Sequence, residues 1–255
     1  MTPWSRQARR KSLLAEPWPE TWDSWLTQNF KHYSLLDGAQ RARLRDDSRT
    51  IMAEKNWEGC DGLKVTDVMK VTIAAQAALL LLGLEHDYFS RVMSIVLFPC
   101  AFELPAESGE ERGQIISGQA VDYGSVFLSW DRVLTEGRDP SAGRNLVIHE
   151  FAHQLDFLDG YTNGTPPLRS AELTRRWNKV MKTSFTRLRR ELRNSRKPFL
   201  GDYAATHPTE FFSVLSEKFF LVPAELRHYH PDLYEVLAKY YRVEPVQWFA
   251  GEIKS

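Results

Sequence analysis

In the stretch "VIHEFAHQLD", His149 and His153 stand four residues apart, and Glu150 directly follows the first. On a helix, residues i and i+4 share a face. Two imidazoles would then point at one tetrahedral metal, with Glu150 beside the position left for water. This is the H-E-x-x-H arrangement of two ligands and a general base, and its chemistry is hydrolysis by an activated water. The alternative is an ordinary helix whose histidines pack in a core or hydrogen-bond at the surface. The neighbours argue for the metal. Leu146, Val147, Ile148, Phe151, Ala152 and Leu155 make the segment apolar nearly all round, which predicts burial. Two imidazoles and a carboxylate buried together are costly without a partner, and a metal ion is the simplest one. We expect one Zn2+ per chain.

A catalytic zinc needs a third protein ligand, and the sequence offers two routes. In the longer pattern H-E-x-x-H-x-x-G-x-x-H the last position is Asp159 here. Asp156 occupies the glycine position, however, so the chain is expected to stay helical rather than turn back. The other route is the segment "YAATHPTEFFSVLSEKFF". Pro208 marks a helix start, and Glu210 lies in the first turn of a helix otherwise rich in Phe, Val and Leu. A buried acid there needs a partner, and the competing explanation is its favourable interaction with the helix N-terminus. Asp156 shares the face of the two histidines. It is expected either to orient a ligand imidazole as an outer carboxylate or to cap the helix or pair with an arginine. Glu217, two turns beyond Glu210, is expected to be structural, and His207 is expected to cap the helix.

"HEFAHQLD" followed by Tyr-x6-Glu-Phe-Phe resembles the Mlc titration factor A family of zinc peptidases, along essentially the whole chain. The motif segments alone also resemble the catalytic core of anthrax lethal factor. The resemblance implies that His149, His153 and Glu210 are the metal ligands and Glu150 the general base. It also implies that Tyr203, seven residues before Glu210, donates a hydrogen bond to the oxyanion. From the residues alone, Tyr203 would be a loop tyrosine packing on the next helix. The resemblance further implies a cytoplasmic peptidase with aminopeptidase-type activity on small peptide substrates. It implies binding to the Mlc repressor, which controls glucose phosphotransferase genes. A second reading from a different class is a regulatory protein that sequesters a transcription factor, with peptidase chemistry secondary.

The elements that must position these residues read as helices, then a few strands, then helices. Residues 19–60 look helical and polar, ending at Gly59. A buried core helix is expected over 67–82, with Thr66 as its N-cap. "RVMSIVLFP" reads as a buried strand stopped by Pro99, and "QIISGQAV" and "GSVFLSW" as further strands. The first of these two is a candidate edge for pairing with an extended peptide. A turn-rich stretch, "EGRDPSAGRN", leads to the motif helix, expected from near Ser141 to Gly160. A long basic helix follows over about 170–196, and then helices broken at Pro223 and Pro231. This order suits an α+β class better than a βαβ array. We expect a mostly helical, zincin-type metallopeptidase fold with a small sheet. It would form one domain over 1–255, with a helical part (1–65), a part holding core helix, sheet and motif helix (66–160), and a part supplying the third ligand (161–255).

Composition excludes several classes. Lys plus Arg equals Asp plus Glu at 33 each, so no global field favours nucleic acid or an acidic membrane surface. Residues 175–197 hold ten Lys/Arg against one acid, Glu191, and the balanced charge elsewhere favours reading them as a solvated face. Two cysteines are too few for a disulfide framework and point to a reducing compartment. The basic N-terminus lacks the apolar core of a signal peptide. The longest apolar run, "VTIAAQAALLLLGL", is too short to span a bilayer. We therefore expect a cytoplasmic protein with no membrane and no direct nucleic-acid partner.

Overall fold

The structure is a computed structural model, and it describes residues 3–103, 115–116, 118–121 and 124–249. The chain falls into two compact units, 1–138 and 139–255. It is mostly helical α+β, with a small four-stranded sheet and a two-stranded one.

The first unit opens with four helices, α1 (Pro3–Ala15), α2 (Glu20–Asn29), α3 (Lys31–Leu35) and α4 (Gly38–Glu54). The start of α4 is fixed by a capping box: Gln40 N–H donates to the Asp37 carboxylate at 2.8 Å, and Asp37 N–H donates to the Gln40 side chain at 3.2 Å. The core helix is α5 (Asp67–Leu79), preceded by Thr66 as expected. Val71 and Ile73 to Leu79 are all buried, because this helix is apolar on every side. It stops at Leu79, and turns carry the remaining leucines to Leu84.

The strands of this unit are β1 (Asn56–Gly59), β2 (Ser94–Phe98), β3 (Phe102–Glu103), β4 (Ile115–Ile116), β5 (Gly118–Val121) and β6 (Ser125–Ser129), and α6 (Trp130–Arg138) follows them. One sheet has the order β1-β2-β6-β5, parallel except for β5, and β3 pairs with β4 in a separate ladder. Ile95 and Leu97 of β2 and Val126 and Leu128 of β6 are buried, as central parallel strands require. Of the "QIISGQAV" segment, Ile115–Ile116 form β4 and Gly118–Val121 form β5, Gln114 and Ser117 lie outside the described residues, and β5 lies at one edge of the sheet.

Two expectations fail here. Residues 19–60 are not helical to Gly59, since α4 ends at Glu54 and the next residues form β1. The turn-rich stretch before the motif helix gives up its first residues to α6, which starts directly where β6 ends.

The second unit is helical: α7 (Leu146–Asp156), α8 (Ala171–Arg193), α9 (Pro208–Leu221), α10 (Pro223–Tyr229) and α11 (Pro231–Tyr241). The last three each begin with proline, whose missing N–H costs nothing in the first turn. Phe211, Phe212, Leu215, Phe219 and Phe220 bury α9 in the core, and Trp177 of α8 packs edge-on to Phe212 and Tyr240. α8 buries Trp177, Met181 and Leu188. Its Arg175, Lys179, Lys182, Arg189, Arg190 and Arg193 are exposed, while Arg176 pairs with Glu235 of α11. Among the described residues no helix is long and apolar enough to cross a membrane.

Candidate metal centre

The motif helix α7 begins at Leu146, five residues later than expected, because Asn145 is its N-cap and accepts from Ile148 N–H at 2.9 Å. Every residue of α7 is buried. Burial follows from its apolar neighbours and leaves three polar side chains of the motif in the interior. The His149 and His153 rings lie 4.9 Å apart, centroid to centroid, with their Nε2 atoms 3.2 Å from each other.

α9 completes the group. His207 caps it, its Nδ1 accepting from Thr209 N–H at 3.3 Å, and Glu210 stands in the first turn. Glu210 Oε2 is 3.0 Å from His149 Nε2 and 3.4 Å from His153 Nε2. One donor atom from each of His149, His153 and Glu210 falls within 4.8 Å of the others, and among the described residues this is the group able to hold a metal ion. The other nitrogen of each ring is held from behind. His149 Nδ1 lies 3.1 Å from Glu217 Oε2, and His153 Nδ1 lies 3.1 Å from Ser213 Oγ. A carboxylate accepts only, so if a cation takes the Nε2 lone pair of His149, Glu217 holds the ring's one proton on Nδ1. Two imidazole nitrogens and one carboxylate oxygen converging on one point fit a divalent cation of zinc's preferences. Glu150 adds a second sign of fit. It is buried, and its Oε2 has no hydrogen-bond partner, so a buried acceptor is left for a polar group to satisfy.

The electrostatics follow from this crowding. Burial opposes a charge on His149, but the Glu217 and Glu210 carboxylates outweigh it and hold the imidazole well above its ordinary value. Burial pushes Glu210 up, and the two imidazoles more than reverse that, leaving it far below the usual carboxylate range. Burial raises the Glu150 carboxyl, with the two imidazoles opposing. Tyr203 sits in a single 3-10 turn, Tyr203–Ala205, just before α9. Its ring is 5.9 Å from that of His149, the residue is 55 % exposed, and its hydroxyl hydrogen-bonds with Glu210. Burial of the hydroxyl and the nearby Glu210 charge raise the phenol, so it remains a proton donor at neutral pH.

Asp159 and Asp156 lie elsewhere. Asp159 is exposed and accepts from Tyr161 N–H at 2.9 Å, closing the turn at Gly160. Asp156 is fully buried, yet its oxygens accept from Gly164 N–H at 2.9 Å and Thr165 N–H at 2.7 Å, with the Thr209 hydroxyl as a third partner. Its hydrogen bonds therefore run to the loop after α7 and to the start of α9 rather than to an imidazole. The loop can approach because residue 164 is glycine: its φ is +74°, and a Cβ there would lie 2.3 Å from the Pro208 carbonyl oxygen. The carboxylate that stands behind an imidazole, at Nδ1 of His149, is Glu217, which sequence reasoning took as structural. The available signal was an acid at Glu210 plus seven, on the same face of an apolar helix.

Comparison with known proteins places the chain as a whole. An uncharacterized protein of Synechocystis is 34% identical over 245 residues, covering 93% of this chain and 89% of its own. The Mlc titration factor A of Edwardsiella ictaluri is 31% identical over 96% of this chain and 94% of its own. That of Yersinia pestis is 26% identical over 95% and 90%. The family described as glucose-regulated metallo-peptidase M90 matches residues 4–242, and the chain belongs to that family.

Proposed function

We propose that this protein is a zinc-dependent peptidase of aminopeptidase type, active on small peptides in the cytoplasm, and that it also binds the repressor Mlc. The observation that carries the reading is the convergence of His149, His153 and Glu210 beside the unpartnered oxygen of buried Glu150. In this reading His149, His153 and Glu210 hold one Zn2+. When bound, zinc polarises the scissile carbonyl and lowers the pKa of an attacking water toward about 7. Glu150 takes the proton of that water and delivers it to the leaving amine. Burial supports this role, because a carboxyl raised above its ordinary value is better matched to proton transfer near neutral pH. Tyr203 donates its hydroxyl to the oxyanion, a contribution worth about 3 kcal/mol in comparable sites.

Binding to Mlc is supported by the names of two relatives, each an Mlc titration factor A. That support also favours a second reading, a regulatory protein that sequesters a transcription factor and whose peptidase chemistry is secondary. One variant separates them. Glu150→Gln should keep one zinc per chain by elemental analysis and keep the fold, yet lose cleavage of aminoacyl substrates, because an amide is not an effective general base. Turnover within about tenfold of wild type would overturn the peptidase mechanism. By titration calorimetry the same variant should bind Mlc with wild-type affinity. Loss of binding together with activity, at unchanged zinc content and melting temperature, would mean that Mlc engages the active site itself.

A further inference from the structure

α9 supplies more to the centre than Glu210. Residues 210, 213 and 217 recur at i, i+3 and i+7, so they stand on one face of the helix. From that face Glu210 reaches both Nε2 atoms, Ser213 Oγ stands 3.1 Å from His153 Nδ1, and Glu217 Oε2 stands 3.1 Å from His149 Nδ1. The second oxygen of Glu217 accepts from Asn145 N–H at 2.7 Å, at the N-cap of α7. One buried carboxylate therefore braces both the start of α7 and the imidazole one turn into it. A charge buried in so apolar a helix is unfavourable unless its partners use it fully. Bracing the helix start takes only one of its two oxygens.

We propose that Glu217 is the positioning residue for His149: it accepts the Nδ1 proton, fixes the tautomer that leaves the Nε2 lone pair for a metal ion, and strengthens that nitrogen as a ligand. The inference rests on reading the centre as a metal site. Ser213 plays the neutral counterpart for His153. The two ligand imidazoles are therefore unequal, one backed by a carboxylate and the other by a hydroxyl.

Glu217→Gln tests this with little change in shape. Its amide oxygen can still accept from Asn145 N–H, which turns the NH2 group toward His149. Nδ1 must then accept, and the ring proton moves to the nitrogen that should face the metal. Competition with a chromophoric chelator should show zinc affinity weakened by about 10–100-fold, while the metal-free melting temperature stays close to wild type. Ser213→Ala should cost less than Glu217→Gln. In zinc-loaded protein, 15N spectra of the His149 ring should show a hydrogen-bonded Nδ1–H in wild type and its loss or a marked shift in Glu217→Gln. The competing role is a simple brace for α7. In that case Glu217→Ala would lower the metal-free melting temperature, with zinc affinity in both variants within threefold of wild type, and the proposal would be overturned. Failure of wild-type protein to bind zinc would sink the metal reading itself, and the positioning role with it. An unchanged His149 Nδ1–H signal in zinc-loaded Glu217→Gln would sink the positioning role alone.

Discussion

Asp156→Ala separates two roles that helix spacing alone leaves open. The wild-type carboxylate is fully buried and serves three donors: Gly164 N–H, Thr165 N–H and the Thr209 hydroxyl. Alanine removes the acceptor from all three, with unequal consequences. The bond to Gly164 is buried, so that amide bears the full penalty of an orphaned donor, about 1–3 kcal/mol. The bond to Thr165 is only partly buried, so water can replace the carboxylate. The Thr209 hydroxyl retains His207 Nδ1 at 3.0 Å. Against this stands relief of a buried charge, since burial raises the Asp156 carboxyl despite its hydrogen bonds. The net expectation is a loss of about 2 kcal/mol. At about 2–4 °C per kcal/mol for a chain of this size, the melting temperature should fall by about 4–8 °C. The loop and the first turn of α9, which carries Glu210, should loosen together, so zinc affinity should weaken moderately as well. Scanning calorimetry with chelator and with zinc gives both numbers. A melting temperature unchanged in chelator, with zinc binding abolished, would refute the clamp and restore Asp156 as a partner of the metal ligands.

Alanine at His149, His153 or Glu210 should each remove the metal from purified protein, whereas Asp159→Ala should retain it, because Asp159 is exposed and turned to Tyr161 N–H. Zinc kept by Glu210→Ala but lost by Asp159→Ala would reverse the assignment of the third ligand. Tyr203→Phe should lower kcat more than it raises KM, since the oxyanion forms only in the transition state, and an unchanged kcat removes Tyr203 from the chemistry. In the first unit, Lys55 is buried with its ammonium donating to the Phe89 carbonyl at 2.6 Å, and burial brings it down from 10.5 to about 8. A folded pKa below the unfolded one means that the unfolded chain holds the proton longer. Stability should therefore rise between about pH 8 and 10.5, by on the order of 3 kcal/mol. Lys55→Met should flatten that rise in urea titrations, and an unaltered pH profile would contradict the burial.

The parts of the molecule legible in the sequence are those whose signal is local and repeated. α5, α8 and α9 carry a cap or proline at the start and a long apolar stripe or face, and each lies close to where that pattern puts it. β1 carries no such signal. It has four residues, follows α4 after a single residue, and is mostly exposed, and its pairing with β2 bridges some forty residues of chain. Nothing within the segment encodes that partner. α6 begins at the residue after β6 with no breaker between them, and Gly137 near its end reads as a stop. The glycine is there for packing: a Cβ would lie 2.7 Å from both the Asn29 carbonyl oxygen and the Gln76 amide nitrogen. That contact joins residues more than sixty and more than a hundred positions apart, beyond the reach of any window.

The same distinction divides the metal centre. Spacing within α7 puts His149, His153 and Asp156 on one face, and spacing within α9 puts Glu210, Ser213 and Glu217 on another. Periodicity fixes which face a residue occupies but not which side chain of the other helix it meets. Asp156, expected as the acid behind an imidazole, and Glu217, expected to be structural, carry the same local signal: each is an acid on the face of the candidate ligands in an apolar helix. The packing of α7 against α9 tells them apart. Asp156 lies at the end of α7, where it meets the loop amides and Thr209 at the start of α9. Glu217 lies in the second half of α9, where it meets Asn145 and His149 in the first half of α7. The two helices run in opposite directions here, so each acid serves the opening turns of the other helix. The proposed ligands sit between those two anchors, and a change at either acid should alter metal affinity through helix position, through the imidazole, or both. Of these two acids Glu217 alone hydrogen-bonds with the His149 ring, so only its replacement should change the His149 Nδ1–H signal. That spectroscopic difference, rather than stability or activity, is the measurement that tells the two carboxylates apart.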